Sequence, residues 1–189
     1  MSAGLVRRWV PAGMTIPNLI TIARLLLVPL LVVMIGQQRW GLAFGIFLAA
    51  GLSDAADGAI ARRYNLRSEL GAYLDALADK ALLVSIYVSL ALIAELPGWL
   101  AITVVSRDVM IVGAIILSRL MDRPVQIRPL FVSKLNTAAQ IAFAAAVLGV
   151  KALSLDPGSY IDAAMVVVAA LTIVSAAAYL EKWLRHMAA

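Results

Sequence analysis

The sequence predicts an all-α polytopic membrane protein. Six transmembrane helices form a single domain over 1–189, and residues 1–15 form a short interfacial helix. Three observations lead there. The chain of 189 residues is 63% apolar and has no cysteine, a composition typical of membrane proteins. Its apolar residues fall in runs close to the ~20 that a helix needs to cross a bilayer. Its formal net charge of +5 is gathered at one set of helix ends. Spans in lipid must be helical here, because hydrocarbon cannot satisfy open backbone groups.

Met1–Thr15 carries Arg7, Arg8 and Trp9, which suits a helix lying on an anionic leaflet. It is too poor in basic residues for a transit peptide, and the apolar run after it is too long for a signal peptide. The spans are then expected at Ile16–Gly36, Trp40–Arg62, Glu69–Glu95, Pro97–Leu120, Phe131–Val150 and Tyr160–Glu181. Gly41 and Gly45 make a small-xxx-small pair and alanines crowd the last two spans, both expected to serve close helix packing. Eleven lysines and arginines, from Arg7 and Arg8 through Arg62, Arg63 and Arg67 to Lys182 and Arg185, fall at one side. Only Arg39 and Lys151 fall at the other. The positive-inside rule puts both termini on the cytoplasmic side. This distribution assigns the positive charge to a membrane surface, and no nucleic-acid partner is expected. Absent cysteine excludes disulfides and thiol chemistry. His186, the one histidine, reads as a solvated tail residue.

Against this apolar background stand Asp54, Asp57, Asp75 and Asp79. The first two are three residues apart and the second two are four apart, so each pair shares a helix face. Uncompensated carboxylates in hydrocarbon cost several kcal/mol each. A divalent cation, or two, held between two helices is the simplest compensation. Mg²⁺ favours carboxylate oxygens and completes its shell with substrate phosphates. Fourteen uncharged residues, Trp40 to Ser53, precede Asp54, and fourteen more, Ala81 to Ala94, follow Lys80. Each run is roughly 21 Å of helix. In an antiparallel hairpin both acidic pairs therefore arrive at one depth, near one membrane face.

Asp54, Asp57, Gly58, Ala61, Arg62, Gly71, Asp75 and Asp79 match every defined position of D-x2-D-G-x2-A-R-x8-G-x3-D-x3-D. On that signature the chain resembles the CDP-alcohol phosphotransferase family. Ala76 stands where many relatives carry proline, at an unspecified position. The resemblance implies transfer of a phosphatidyl or similar group from a CDP-alcohol to a hydroxyl, with release of CMP. It implies two Mg²⁺ or Mn²⁺ ions on Asp54, Asp57 and Asp75, with Asp79 as general base and possible further ligand. Asp57, Gly58, Ala61, Arg62 and Gly71 would receive the donor, the small residues allowing close approach and Arg62 pairing with a phosphate oxygen. A homodimer is implied too.

Outside the signature, Arg107 and Asp108 lie about ten residues into the fourth span, and Lys134 begins the fifth. Buried charge of this kind points to a bound anion or a water-filled cavity. A structural Arg–Asp pair and a snorkelling lysine are the plainer readings. Arg24, inside the first span, is left open, with a signature aspartate as one possible partner. The segments around Arg24, Arg107–Asp108 and Arg128 to Gln140 resemble the CMP-forming cardiolipin synthases of the eukaryotic and alphaproteobacterial type. That implies CDP-diacylglycerol as donor and phosphatidylglycerol as acceptor, with Arg107 and Lys134 on the acceptor's phosphodiester, in a bacterial inner membrane. Phosphatidylglycerophosphate synthase is the runner-up. It typically has Arg-Glu at 107–108 and a G-K-x-K-T-T-like segment at 133–137. A transporter or channel would need carboxylates reachable from both faces, and the uncharged runs seal one of them.

Overall fold

Six α-helices and no strand are found among the residues that this computed structural model describes, namely 16–64, 69–121, 130–156 and 158–188. They are α1 (Ile16–Gly36), α2 (Trp40–Tyr64), α3 (Glu69–Leu92), α4 (Gly98–Leu120), α5 (Phe131–Ala152) and α6 (Gly158–Ala188). The interfacial helix expected at 1–15 lies outside the described residues. α1 packs on α2 and α3. α6 packs on α4 and α5, and the two groups are joined where α2 meets α5 and where α3 meets α4 and α5.

Three connections on one side are short and end alike. Gln38, Ala94 and Ser154 have φ of 55°, 61° and 51°. After each, a backbone N–H reaches back five residues: Arg39 to Met34, Glu95 to Leu90, and Leu155 to Val150, at 2.9, 2.9 and 3.0 Å. This is the Schellman termination, which satisfies carbonyls the helix leaves open. It ends α3 at Leu92, three residues before the expected boundary. A left-handed residue with a Cβ is strained by about 1–2 kcal/mol, and a glycine is not. Ala94 is exposed, so Ala94→Gly is expected to stabilise the bundle by up to about 1 kcal/mol. Thermal unfolding of the purified variant checks this.

Helical periodicity sorts each helix into two faces. In α4, Leu100, Val104 and Arg107 point inward, whereas Ile102 is 70%, Val109 64% and Ile116 53% exposed. Such an outward apolar stripe is an aggregation hazard in water and a solvated face in lipid. The interior is built from Leu31, Ile35, Phe47, Ile86, Leu90 and Leu148, among others. Tyr87 and Phe143 stack within it at 6.3 Å.

Among the described residues, α4, α5 and α6 are long and apolar enough to cross a membrane, and α1 and α2 contribute the apolar stretches Ile20–Gly36 and Trp40–Ala55. One packing expectation is corrected. Gly41 and Gly45 are exposed, and a Cβ on either would meet nothing within 4 Å. The inward side of α2 is instead Ala43, Phe47 and Ala50, because 41 and 45 fall on the opposite face. The glycine that does permit close approach is Gly149 of α5, 3.4 Å from the Phe44 ring by its would-be Cβ. Ala144 and Ala169 are buried, as expected of packing alanines.

Candidate active site

Three helices meet at Arg24. Its Nη1 lies 2.9 Å from Asp54 Oδ1, 2.9 Å from Asp75 Oδ1 and 2.8 Å from Asp79 Oδ1. The antiparallel pair of α1 and α2 explains the first contact, since Arg24 and Asp54 are equidistant from Arg39 in the turn that joins them. Asp75 and Asp79 stand one turn apart on α3 and so reach the same nitrogen. Asp54 on α2 and Asp79 on α3 share one cation and so lie at one depth, as expected, but among the described residues α1 stands between the two helices in place of a direct α2–α3 hairpin.

The site is layered. The Arg24 side chain is wholly buried, whereas the three carboxylates remain 42–46% exposed. One carboxylate oxygen from each aspartate lies within 4.8 Å of the others. At that separation two bare carboxylates repel by roughly 3–4 kcal/mol at an effective dielectric near 20, before screening. One guanidinium offsets part of this and leaves the described cluster with two surplus negative charges. The donor set is all hard oxygen, which suits Mg²⁺ or Mn²⁺. Oxygens around Mg²⁺ sit at most ~4.2 Å apart, so the observed spread needs only a small contraction. The residues present therefore fit a divalent cation. Asp57, Gly58, Ala61 and Arg62 belong to α2 and Gly71 to α3, but their side chains lie outside the described residues.

A second polar group adjoins the first. Lys80 follows Asp79, and its Nζ is 3.1 Å from Asp108 Oδ1. The same oxygen accepts from Arg107 Nη1 at 2.6 Å. Arg107 Nη2 also donates to Ser133 Oγ on α5 and, at 3.0 Å, to Ser175 Oγ on α6. Its guanidinium stands 5.7 Å over the Tyr179 ring, within cation–π range. The structural Arg–Asp pair is thus real, yet it is not the whole of Arg107. Its Nε is buried without a hydrogen-bond partner, an unmet donor that calls for an explanation. Two cations on one carboxylate leave this group with one net positive charge. Lys134 is exposed in the first turn of α5, next in sequence to Ser133, and His186 is exposed near the end of α6.

Sequence reasoning left Arg24 without an assigned role and passed over Lys80. It also missed a buried polar ladder below Ser133. Asn136, Gln140 and Thr172 are buried. Gln140 Nε2 donates to Thr172 Oγ1 at 3.2 Å, and Thr172 Oγ1 lies 2.9 Å from Asn136 Oδ1. Tyr87 donates to the Gln140 carbonyl at 3.1 Å. The signal was present in the spacing. Ser133, Asn136 and Gln140 recur at 3 and 4 residues on α5, as do Thr172, Ser175 and Tyr179 on α6.

The chain is 35% identical to the human protein named cardiolipin synthase (CMP-forming), over 87% of this chain and 60% of that protein. It is 34% identical to the rat protein of the same name, over 91% and 65%. It is also 30% identical to a Mycobacterium tuberculosis protein named probable phosphatidylglycerophosphate synthase, over 90% and 82%. The chain thus spans 60% and 65% of the length of the human and rat relatives it matches. The family model described as CDP-alcohol phosphatidyltransferase matches residues 14–180, and with three of the signature's four aspartates gathered on one buried arginine, this chain belongs to the CDP-alcohol phosphatidyltransferase family.

Proposed function

We propose that this protein is a CMP-forming cardiolipin synthase, which moves a phosphatidyl group from CDP-diacylglycerol to phosphatidylglycerol and releases CMP. The observation that carries the reading is the adjacency of two unlike charge centres. A carboxylate cluster with surplus negative charge is joined, through the consecutive residues Asp79 and Lys80, to a cationic group at Asp108 and Arg107. The first suits a metal-bound pyrophosphate. The second, with one net positive charge, suits an acceptor bearing one phosphodiester charge. The names of the human and rat relatives point the same way.

Asp54, Asp57 and Asp75 hold metal in this reading, with Asp79 as a possible further ligand. Bound there, two Mg²⁺ or Mn²⁺ ions would screen the donor's pyrophosphate from the carboxylates and stabilise the departing CMP. Asp79 takes the proton of the acceptor hydroxyl as that oxygen attacks phosphorus. Gly58, Ala61 and Gly71 leave room for the donor along α2 and α3, and Arg62 pairs with one of its phosphate oxygens. Arg107 and Lys134 hold the acceptor's phosphodiester, with the buried Arg107 Nε as the donor still to be used. All six helices cross the membrane, as a homodimer in a bacterial inner membrane, with termini and active site on the cytoplasmic side.

The test supplies purified protein with CDP-diacylglycerol and either phosphatidylglycerol or glycerol 3-phosphate, and reads the lipid products by mass. Cardiolipin and CMP are expected, with glycerol 3-phosphate a poor acceptor. Ready use of glycerol 3-phosphate, with phosphatidylglycerol refused, would replace this reading with the phosphatidylglycerophosphate one that the mycobacterial relative favours. In the same assay Arg107→Ala and Lys134→Ala are expected to raise the KM for phosphatidylglycerol more than for CDP-diacylglycerol. A lost charge-assisted contact costs roughly 1.5–3 kcal/mol, about 10- to 150-fold.

A further inference from the structure

We infer that Arg24 is a positioning residue. It is the buried counter-ion that keeps the metal-binding carboxylates converged when no cation is bound, so that the site is assembled before metal arrives. The inference rests on the metal-site reading above for its purpose, but its geometry stands by itself. Nη1 of Arg24 is within 2.9 Å of carboxylate oxygens from three aspartates on two helices. The guanidinium belongs to a third helix, α1, which packs against both of the others. Without this cation, α2 and α3 would carry three mutually repelling carboxylates at a helix junction. With it, each of the three is held through its Oδ1 against the buried guanidinium, while its side chain remains 42–46% exposed.

The arrangement has an electrostatic consequence. Among the described residues, Arg24 contributes one positive charge against three negative ones, so it holds the cluster without neutralising it. The remaining negative charge draws a divalent cation. A lysine would keep the charge on a shorter and more flexible stem. A glutamine keeps much of the packing and removes the charge.

Full-length protein in detergent is compared as wild type, Arg24→Gln, Arg24→Lys, and the double variant Arg24→Gln/Asp54→Asn, each in chelator and then with Mn²⁺. In chelator, Arg24→Gln is expected to lose about 5 °C of Tm, because three half-exposed carboxylates then repel one another with solvent screening as their main relief. Arg24→Lys is expected to fall between it and wild type. The double variant is expected to regain part of the loss, because one repelling carboxylate has become neutral. Mn²⁺ is expected to raise the Tm of Arg24→Gln more than that of wild type. If Arg24→Gln is as stable as wild type in chelator, or if Asp54→Asn adds to its loss instead of relieving it, Arg24 is not the counter-ion and the inference fails. Mn²⁺ binding by the wild type, followed by electron paramagnetic resonance, separates the two readings. Its absence would sink the metal site, while the chelator arms still decide the role of Arg24.

Discussion

Asp75→Asn and Asp54→Asn are each expected to abolish CMP release and to weaken divalent-cation binding. Asparagine has almost the shape of aspartate and keeps one oxygen facing Arg24, which now lies 2.9 Å from either carboxylate. What it removes is a formal charge from a cluster whose ligand atoms sit within 4.8 Å of one another. Divalent cations of this class bind carboxylate oxygen chiefly through charge, so the loss falls on metal first and on chemistry through it. The fold should survive, because the helices are held by the apolar interior around Leu31, Ile86 and Leu90. The measurement is CMP release across a Mn²⁺ titration, beside thermal unfolding as a control. Near-wild-type activity at limiting metal in either variant would sink the assignment of that residue as a ligand.

Asp79→Asn is expected to separate binding from turnover. Donor binding should persist while the rate falls by about 10²–10⁴-fold, the usual contribution of a positioned general base. Asp79 stands one turn beyond Asp75 and its side chain is 46% exposed, so an acceptor hydroxyl can approach it. It is also next to Lys80, whose Nζ is held by Asp108, at the boundary between the acidic cluster and the cationic group. That position suits the proposed role of Asp79, to receive a proton from an acceptor that Arg107 is proposed to anchor. Binding of CDP-diacylglycerol and single-turnover CMP release, measured on one preparation, check the split. Donor affinity falling in step with rate would make Asp79 chiefly a metal ligand.

Much of this was legible in the sequence, and for local reasons. Runs of apolar residues with periodic polar interruptions mark helices wherever they occur, and all six expected helices are present. Boundaries moved by a few residues where backbone geometry decided them, as where left-handed Ala94 ends α3. Two uncharged runs of equal length placed Asp54 and Asp79 at one depth, because rise per residue is constant along a helix. Small-residue spacing at Gly41 and Gly45 misled, since it says that close approach is permitted and not that a neighbour is there.

What the chain by itself determined is the inventory: six helices, an acidic group at one depth, and charges too costly to leave uncompensated in an apolar bundle. Only the tertiary structure decided the partners. Arg24 lies 51 and 55 residues from Asp75 and Asp79, and no helical period links positions so far apart. Arg107 finds Ser175 at a separation of 68 and Ser133 at 26. Gln140 and Thr172 meet across 32. Periodicity determines which residues share a face of one helix. Which faces then meet depends on how the helices cross, a property of the packed bundle and its ridges and grooves. For that reason the four aspartates could be read as a site from their spacing, while the arginine that gathers three of them became evident only when α1 was seen lying between α2 and α3.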